Sequence, residues 1–144
     1  IGPLQSGNAR QISGLFQVVH GASSLSGIQA LNKACHGRSE SLRYFIQLNL
    51  TGEQSKMGGM TIEELDSLGE PPAGPGFEFA GLMTMGPSDS EPKKTREVFR
   101  SLRRIRDERF SGMELSMGMS QDYEIALEEG STLLRIGSLI FGSR

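Results

Sequence analysis

Residues 115–138 read LSMGMSQDYEIALEEGSTLLRIGS, and this stretch decides the fold class. It opens on a short apolar strand predicted over Leu115–Met119 and continues into a helix that Ser120 would cap and that ends at Gly130. Gly130 suits the left-handed position that commonly follows the last turn of a helix. A second extended run is predicted over Thr132–Ile136. A strand, a helix and a second strand in this order are typical of a parallel sheet with crossover helices.

The rest of the chain repeats the alternation. The other extended runs are predicted over Phe16–His20, Tyr44–Leu50 and Phe79–Met85, and Leu139–Phe141 continues the run over Thr132–Ile136 after a break at Gly137. The other helices are predicted over Ala9–Phe16, from a cap at Ser23 or Ser24, from a capping box at Thr61–Glu64 to about Leu68, and over Ser90–Arg109. Counting gives five full strands and a strand stump at Ile1. This number fits either an open doubly wound sheet or part of an eight-stranded barrel, and periodicity alone leaves both open.

Composition narrows the class of protein. The 144 residues are 36% hydrophobic and 22% charged, which argues against both a disordered chain and a membrane protein. No apolar run approaches the roughly 18–20 residues that cross a bilayer, and the N-terminus has no secretory-signal pattern. The single cysteine, Cys35, fits a reducing compartment. We therefore expect a cytoplasmic protein with no membrane partner.

Charge is distributed unevenly. The net charge of −2 gives no general attraction to nucleic acid, but eight of the fifteen Lys and Arg residues fall between Lys93 and Arg109. On a helix the apolar residues of this segment share one face, and the basic residues lie on the other. The apolar face is a stripe formed by Val98, Phe99, Leu102 and Ile105. A solvated face is the simpler interpretation; a phosphate- or partner-binding patch, or a nucleic-acid-binding helix over Arg96–Arg109, is the alternative.

One candidate ligand site is the turn Ser116-Met117-Gly118-Met119-Ser120. It follows a strand and leads into a helix, whose first N–H groups carry a partial positive charge. Small residues there would let the backbone approach a ligand closely. The pattern indicates an anion site, and the alternative is an ordinary strand-to-helix turn with a serine cap.

The second candidate is Arg135-Ile136-Gly137-Ser138. An arginine inside an apolar parallel strand is costly unless paired, and it offers only donors. It therefore favours a carboxylate, a phosphate or an aromatic-ring acceptor. Gly137 and Ser138 would form a second compact turn for an anion at the same edge of the sheet.

Other candidates are weak. His20 and His36 lack metal-ligand spacing with any Cys, Asp or Glu, so no metal site is expected. A nucleophilic role for Lys56 is disfavoured, and the sequence has no nucleophile elbow, P-loop or dinucleotide-binding glycine motif.

Several motifs together resemble one family, the YggS/PROSC type of pyridoxal 5′-phosphate (PLP) homeostasis proteins. The motifs are Ile1-Gly2-Pro3-Leu4-Gln5-Ser6, Gln47-Leu48-Asn49 with Glu53, Ser55-Lys56 and Gly58, Gly81-Leu82-Met83, Leu115 to Ser120 with Asp122, and Gly130-Ser131-Thr132 with Arg135 to Ser138 and Ile140-Phe141-Gly142. They occur in the family's order over essentially the whole chain. The family's H-x-I/V-D motif is altered here to His20-Gly21-Ala22-Ser23.

The resemblance implies an α/β fold, a partial (β/α)8 TIM barrel of the alanine racemase type from about the third strand to the eighth. Residues 1–144 would form a single PLP-binding barrel domain, incomplete at the N-terminus. Its cofactor-binding residues would be Ser116, Met117, Gly118, Ser120, Arg135, Gly137 and Ser138. Four of these, Ser116, Met117, Gly137 and Ser138, would hold the phosphate, and Arg135 would face the pyridine nitrogen. The Schiff-base lysine is expected upstream of Ile1, and Lys56 belongs to a different motif.

The resemblance also sets the expected function. It implies a non-catalytic PLP carrier in intracellular vitamin B6 and amino-acid homeostasis, with PLP as its small-molecule partner and no nucleic acid. The alternative is a PLP-dependent racemase- or decarboxylase-type enzyme domain. A monomer is expected for the full-length protein.

Overall fold

The computed structural model describes residues 2, 4–53 and 58–142. Its four strands are β1 (Val18–Ala22), β2 (Leu42–Gln47), β3 (Phe77–Met83) and β4 (Glu114–Ser116). They form one sheet in the order β1-β2-β3-β4, and β1 pairs with β2, and β3 with β4, in parallel. The helices are α1 (Ala9–Leu15), α2 (Leu25–Ala34), α3 (Ile62–Leu68), α4 (Pro92–Arg109), α5 (Tyr123–Glu128) and α6 (Ser138–Phe141). The α/β class predicted from the alternation is confirmed.

The chain divides into two compact units. The first comprises 1–48 and 55–80, and the second comprises 49–54 and 81–144. The candidate residues between 116 and 138 all lie in the second unit. Among the described residues, no helix combines the length and apolar character needed to cross a membrane.

The first unit has the helix caps that the sequence predicts. Ser24 Oγ accepts a hydrogen bond from the Gly27 backbone N–H and caps α2. Thr61 and Glu64 form a reciprocal capping box at the start of α3. Both caps satisfy backbone donors that the first turn of a helix leaves unpaired.

An aromatic cluster fills the core of the first unit. Tyr44 is fully buried and stacks on Phe77 with ring centroids 4.4 Å apart. Its hydroxyl donates to the backbone oxygen of Pro72 at 2.8 Å. A buried phenol requires a hydrogen-bond partner, and this one connects β2 to the loop before β3.

In the second unit, α4 packs through its apolar stripe. Val98, Phe99 and Leu102 are buried, as the spacing predicts, and Ile105 is partly buried. The helix starts at Pro92 and not near Ser90. The carboxylate of Glu91 provides the reason, since it accepts hydrogen bonds from the first backbone N–H groups of the helix and forms its N-cap.

Part of the basic face of α4 pairs with acidic residues of the same unit. The side chain of Glu129, only 4% exposed, contacts Arg96, Arg100 and Arg103 through nitrogens at 3.1, 3.0 and 3.4 Å. Arg96 also pairs with Glu128. These three arginines, the arginine clamp, are therefore not simply solvated: they fix α4 against the C-terminal end of α5.

Three sequence predictions are wrong near the end of the chain. Leu139–Phe141 lies in α6 and not in a strand, since the run after Gly137 turns and makes local hydrogen bonds. Thr132–Ile136 forms no regular strand; a parallel bridge between Ser116 and Leu133 keeps it beside β4. Ser120 does not cap α5, whose N-cap position is Asp122.

Other boundaries shift only slightly. The predicted strands at Phe16–His20, Tyr44–Leu50 and Phe79–Met85 are present as β1, β2 and β3, each displaced by about two residues, within the usual uncertainty of element ends. Gly130 follows Glu129, the C-cap residue of α5, and has a φ of 89°, so its predicted left-handed conformation is confirmed. The strand stump predicted at Ile1 lies outside the described residues.

Candidate ligand-binding site

A pocket of about 350 Å³ opens in the second unit. Its walls come from the segment after β3, the turn after β4 and the segment after Leu133. They are lined by Gly86, Pro87, Ser90, Met119, Ser120, Gln121, Asp122, Arg135, Gly137 and Ser138. Each wall follows a strand or a strand-like run, which is where parallel α/β folds bind ligands. The volume falls within the range of about 300–1,000 Å³ that is typical of small-molecule sites.

Arg135 is the buried cation of the pocket. It is 8% exposed, and its Nη1 and Nη2 donate to Ser116 Oγ and to the backbone oxygen of Thr84, each at 2.9 Å. Both acceptors are neutral, and within the described part of the chain Nε has no hydrogen-bond partner. Burial lowers the pKa of Arg135, and the negative charge of Asp122 offsets part of this effect. A buried guanidinium with neutral acceptors favours a ligand that is anionic or accepts hydrogen bonds.

Ser120 joins the two clusters that the sequence identifies separately. Its Oγ accepts hydrogen bonds from the backbone N–H groups of Gly137 at 3.3 Å and Leu139 at 3.2 Å. Ser138 lies between these two donors, is exposed and lines the same pocket. Two backbone donors and two hydroxyl groups therefore lie close together, and three of these four groups belong to residues that line the pocket. This is a donor set that suits the oxygens of a phosphate.

The other three predicted residues are not among those that line the pocket. Ser116 and Met117 are fully buried, and Ser116 Oγ orients the guanidinium described above. Gly118 has a φ of 96°, and a Cβ there would lie 2.6 Å from Ala126 Cβ and 2.8 Å from Leu134 Cδ2. The missing side chain therefore lets the turn pack against α5 and the following segment. The cofactor-binding roles of these three residues stay predictions.

Sequence reasoning missed Asp122 as a pocket residue. Asp122 is 8% exposed, and its Oδ1 accepts a hydrogen bond from the Met119 backbone N–H at 2.6 Å. Its Oδ2 lies against Gly86, where an added Cβ would be only 2.6 Å away. The signal was present in the sequence, because an acidic residue two positions after Ser120 stands at the start of a helix. In the motif Leu115 to Ser120 with Asp122, the resemblance assigns this residue no role.

The weaker candidates gain no support. His20 stacks on Phe45 with ring centroids 4.7 Å apart, as a packed side chain would. No group of His, Cys, Asp or Glu among the described residues could hold a metal ion. Lys56 lies outside the described residues.

Comparisons with known proteins bear on the identity of the chain. A pyridoxal phosphate homeostasis protein of Aquifex aeolicus strain VF5 is 35% identical over 150 residues, and one of Pseudomonas aeruginosa PAO1 is 36% identical over 146 residues. Both matches include 100% of this chain, but the chain spans only 65% and 63% of the two relatives. The structure of PipY from Synechococcus elongatus PCC7942, solved with PLP bound, matches with a TM-score of 0.84 and 26% identity. That match covers 99% of this chain and 68% of PipY.

The family comparison agrees with these relatives. The family described as "Alanine racemase, N-terminal domain" matches residues 2–144. With the structural match, it confirms the predicted fold, a partial (β/α)8 barrel of the alanine racemase type. The resemblance to pyridoxal phosphate homeostasis proteins is confirmed as well. The chain belongs to the alanine racemase N-terminal domain family.

Proposed function

We propose that this chain carries the phosphate-binding side of a PLP site, in a protein that binds PLP for intracellular vitamin B6 and amino-acid homeostasis. The observation that carries the proposal is the wall where Ser120, Gly137, Ser138 and Leu139 bring hydroxyl and backbone donors together beside Arg135. The names of the relatives and the PLP-bound neighbour support the same cofactor.

The residues present fit the cofactor. A phosphate ester accepts several hydrogen bonds, and the wall offers the N–H groups of Gly137 and Leu139 with the hydroxyls of Ser120 and Ser138. Ser120 now accepts from both N–H groups, so in the bound state a phosphate oxygen would take its place as the acceptor. The Nε of Arg135, which has no hydrogen-bond partner among the described residues, is a further sign that this region suits a polar ligand.

Arg135 has the second role in the proposal. When bound, PLP supplies a reactive aldehyde and a pyridine ring that withdraws electrons once its nitrogen is protonated. A guanidinium stays charged even when burial lowers its pKa, so Arg135 would donate a hydrogen bond to the ring nitrogen without giving up its proton. The ring would then remain a weak electron sink, which suits a non-catalytic carrier. Cytoplasmic localisation belongs to the same proposal.

Calorimetric titration with two related probes tests the proposal. Pyridoxine 5′-phosphate has the phosphate but no aldehyde, so it cannot react with lysines, and pyridoxine lacks both groups. We expect the chain to bind the first saturably and the second far more weakly. Equal affinity for both probes, or no saturable binding, would contradict the proposal.

Variants assign the binding to the pocket. Ser138→Ala should weaken pyridoxine 5′-phosphate binding by roughly 1.5–3 kcal/mol, the usual value of a hydrogen bond to a charged group. Arg135→Glu should weaken it and shift the absorbance spectrum of bound PLP, because a carboxylate favours a protonated ring nitrogen. Ser111→Ala removes an exposed hydroxyl outside the pocket and should change nothing. Unchanged binding in Ser138→Ala would place the phosphate elsewhere.

A further inference from the structure

Among the described residues that line the pocket, one carries a formal positive charge and one carries a formal negative charge. Among its lining residues, Arg135 is the cation and Asp122 is the anion, and both are 8% exposed. A phosphate entering this pocket therefore meets a carboxylate as well as a guanidinium. An acid is not needed to bind an anionic ligand, so its presence requires an explanation.

The carboxylate of Asp122 is held in a fixed position. Its Oδ1 accepts from the Met119 N–H at 2.6 Å, and its Oδ2 packs against the Gly86 backbone. No ion pair joins it to Arg135 within the described residues, and the two interact only through space. The negative charge of Asp122 still acts on Arg135, because it counteracts the lowering of the Arg135 pKa by burial. The acid thus stabilises the buried guanidinium without occupying its hydrogen-bonding positions.

We propose that Asp122 is a specificity-determining residue that limits the affinity of the pocket for phosphate ligands. This inference rests on the proposed function and deepens it. In the ligand-free chain, Asp122 supplies the counter-charge that a buried arginine needs. In the bound chain the phosphate supplies negative charge, and the carboxylate then repels it. A carrier must release its ligand, and a phosphate attracted by Arg135 without repulsion from Asp122 would dissociate more slowly.

The variant Asp122→Asn isolates the charge. The amide oxygen of asparagine can still accept from the Met119 N–H, so the turn keeps its hydrogen bond while the negative charge is lost. At the intermediate dielectric of a partly buried site, removing one repelling charge several ångströms away should tighten phosphate binding on the order of tenfold. The ligand-free variant should melt at a lower temperature than the wild type, because Arg135 loses its counter-charge. Opposite changes in stability and affinity would not come from a merely structural residue.

Calorimetry with inorganic phosphate, pyridoxine 5′-phosphate and pyridoxine tests the inference, with a thermal melt of each ligand-free variant. We expect Asp122→Asn to bind the two phosphate probes about tenfold more tightly and pyridoxine unchanged. The control is Glu124→Gln, which removes an exposed negative charge from the same helix outside the pocket and should leave all affinities unchanged.

The outcomes separate this inference from the proposed function. Saturable binding by the wild type, with equal or weaker binding by Asp122→Asn, overturns this inference alone. No saturable binding by either protein overturns the proposed function and this inference with it. If Asp122→Asn does not fold, Asp122→Ser, which keeps an oxygen acceptor, takes its place. Failure of both variants to fold would show that Asp122 serves the fold and would also overturn the inference.

Discussion

Replacing Gly118 by alanine should destabilise the chain for a packing reason that the fold makes explicit. The added Cβ would lie 2.6 Å from Ala126 Cβ and 2.8 Å from Leu134 Cδ2, so the turn must move away from α5 or from the segment after it. Such overpacking costs roughly 1–3 kcal/mol. The φ of 96° adds backbone strain of roughly 1–2 kcal/mol for any residue with a side chain. We expect a total loss of about 2–5 kcal/mol in the free energy of unfolding.

Gly112→Ala is the matched control. Gly112 has a φ of 84°, but an added Cβ there would meet nothing within 4 Å, so this variant reports backbone strain alone. Urea unfolding followed by circular dichroism gives both free energies. Gly118→Ala should be the less stable variant by about 1–3 kcal/mol. A difference below about 0.5 kcal/mol, the usual error of such comparisons, would refute the packing argument.

The remaining predictions concern buried polar groups. Glu129→Ala should cost about 1–2 kcal/mol of stability, because it removes three ion pairs but leaves arginines that are partly exposed and stay solvated; chemical denaturation measures this, and a loss under about 0.5 kcal/mol would contradict it. Burial raises the pKa of Glu129, but hydrogen bonds from the clamp outweigh this and hold it below its usual value. The stabilisation by Glu129 is therefore present above the unfolded pKa of about 4.3 and lost as pH falls through the lower folded value, so Glu129→Ala should cost progressively less in acid. Burial raises the pKa of Tyr44, so folding should weaken as pH rises above the unfolded value of about 10. Tyr44→Phe should lower the free energy of unfolding by about 1 kcal/mol at neutral pH, because the hydrogen bond to the Pro72 oxygen is lost. The stability of this variant should also no longer fall above about pH 10 through residue 44. Denaturation at neutral and alkaline pH measures both effects, and an alkaline loss of stability equal to that of the wild type would contradict the second.

Local signals predicted much of the fold. Ser24 and the Thr61–Glu64 pair cap their helices because short polar side chains satisfy the first N–H groups wherever a helix starts. The apolar stripe of α4 was equally predictable, because apolar residues spaced three and four positions apart lie on a single face of a helix. These features depend on a few neighbouring residues, so a single sequence contains them.

The end of the chain was harder to predict. Leu139–Phe141 is a run of three apolar residues, which suits a strand or a helix equally well, and it forms a helical turn with all three side chains exposed. Ser120 and Asp122 are both good N-cap residues. The choice between them depends on Gly137 and Leu139, whose N–H groups bond to Ser120 from nearly twenty positions further along the chain. No local pattern reports such a contact.

The candidate site also has a part that the sequence predicts and a part that it does not. Ser120, Arg135, Gly137 and Ser138 line one pocket, as their position after strands predicts. Gly118 follows the same sequence logic, but its small size serves packing against the protein itself. A glycine in a turn indicates that something approaches closely, and the sequence does not show whether that is a ligand or a neighbouring helix.

The most direct test of the central claim is an amide NMR titration of the isotope-labelled chain with pyridoxine 5′-phosphate. The claim is that the wall formed by Ser120, Gly137, Ser138 and Leu139 binds the cofactor phosphate. It predicts saturable shifts that are largest at the amides of Gly137, Ser138 and Leu139, because the phosphate replaces Ser120 Oγ as the acceptor of two of them. Saturable shifts confined to the first unit, or shifts that never saturate, would contradict it.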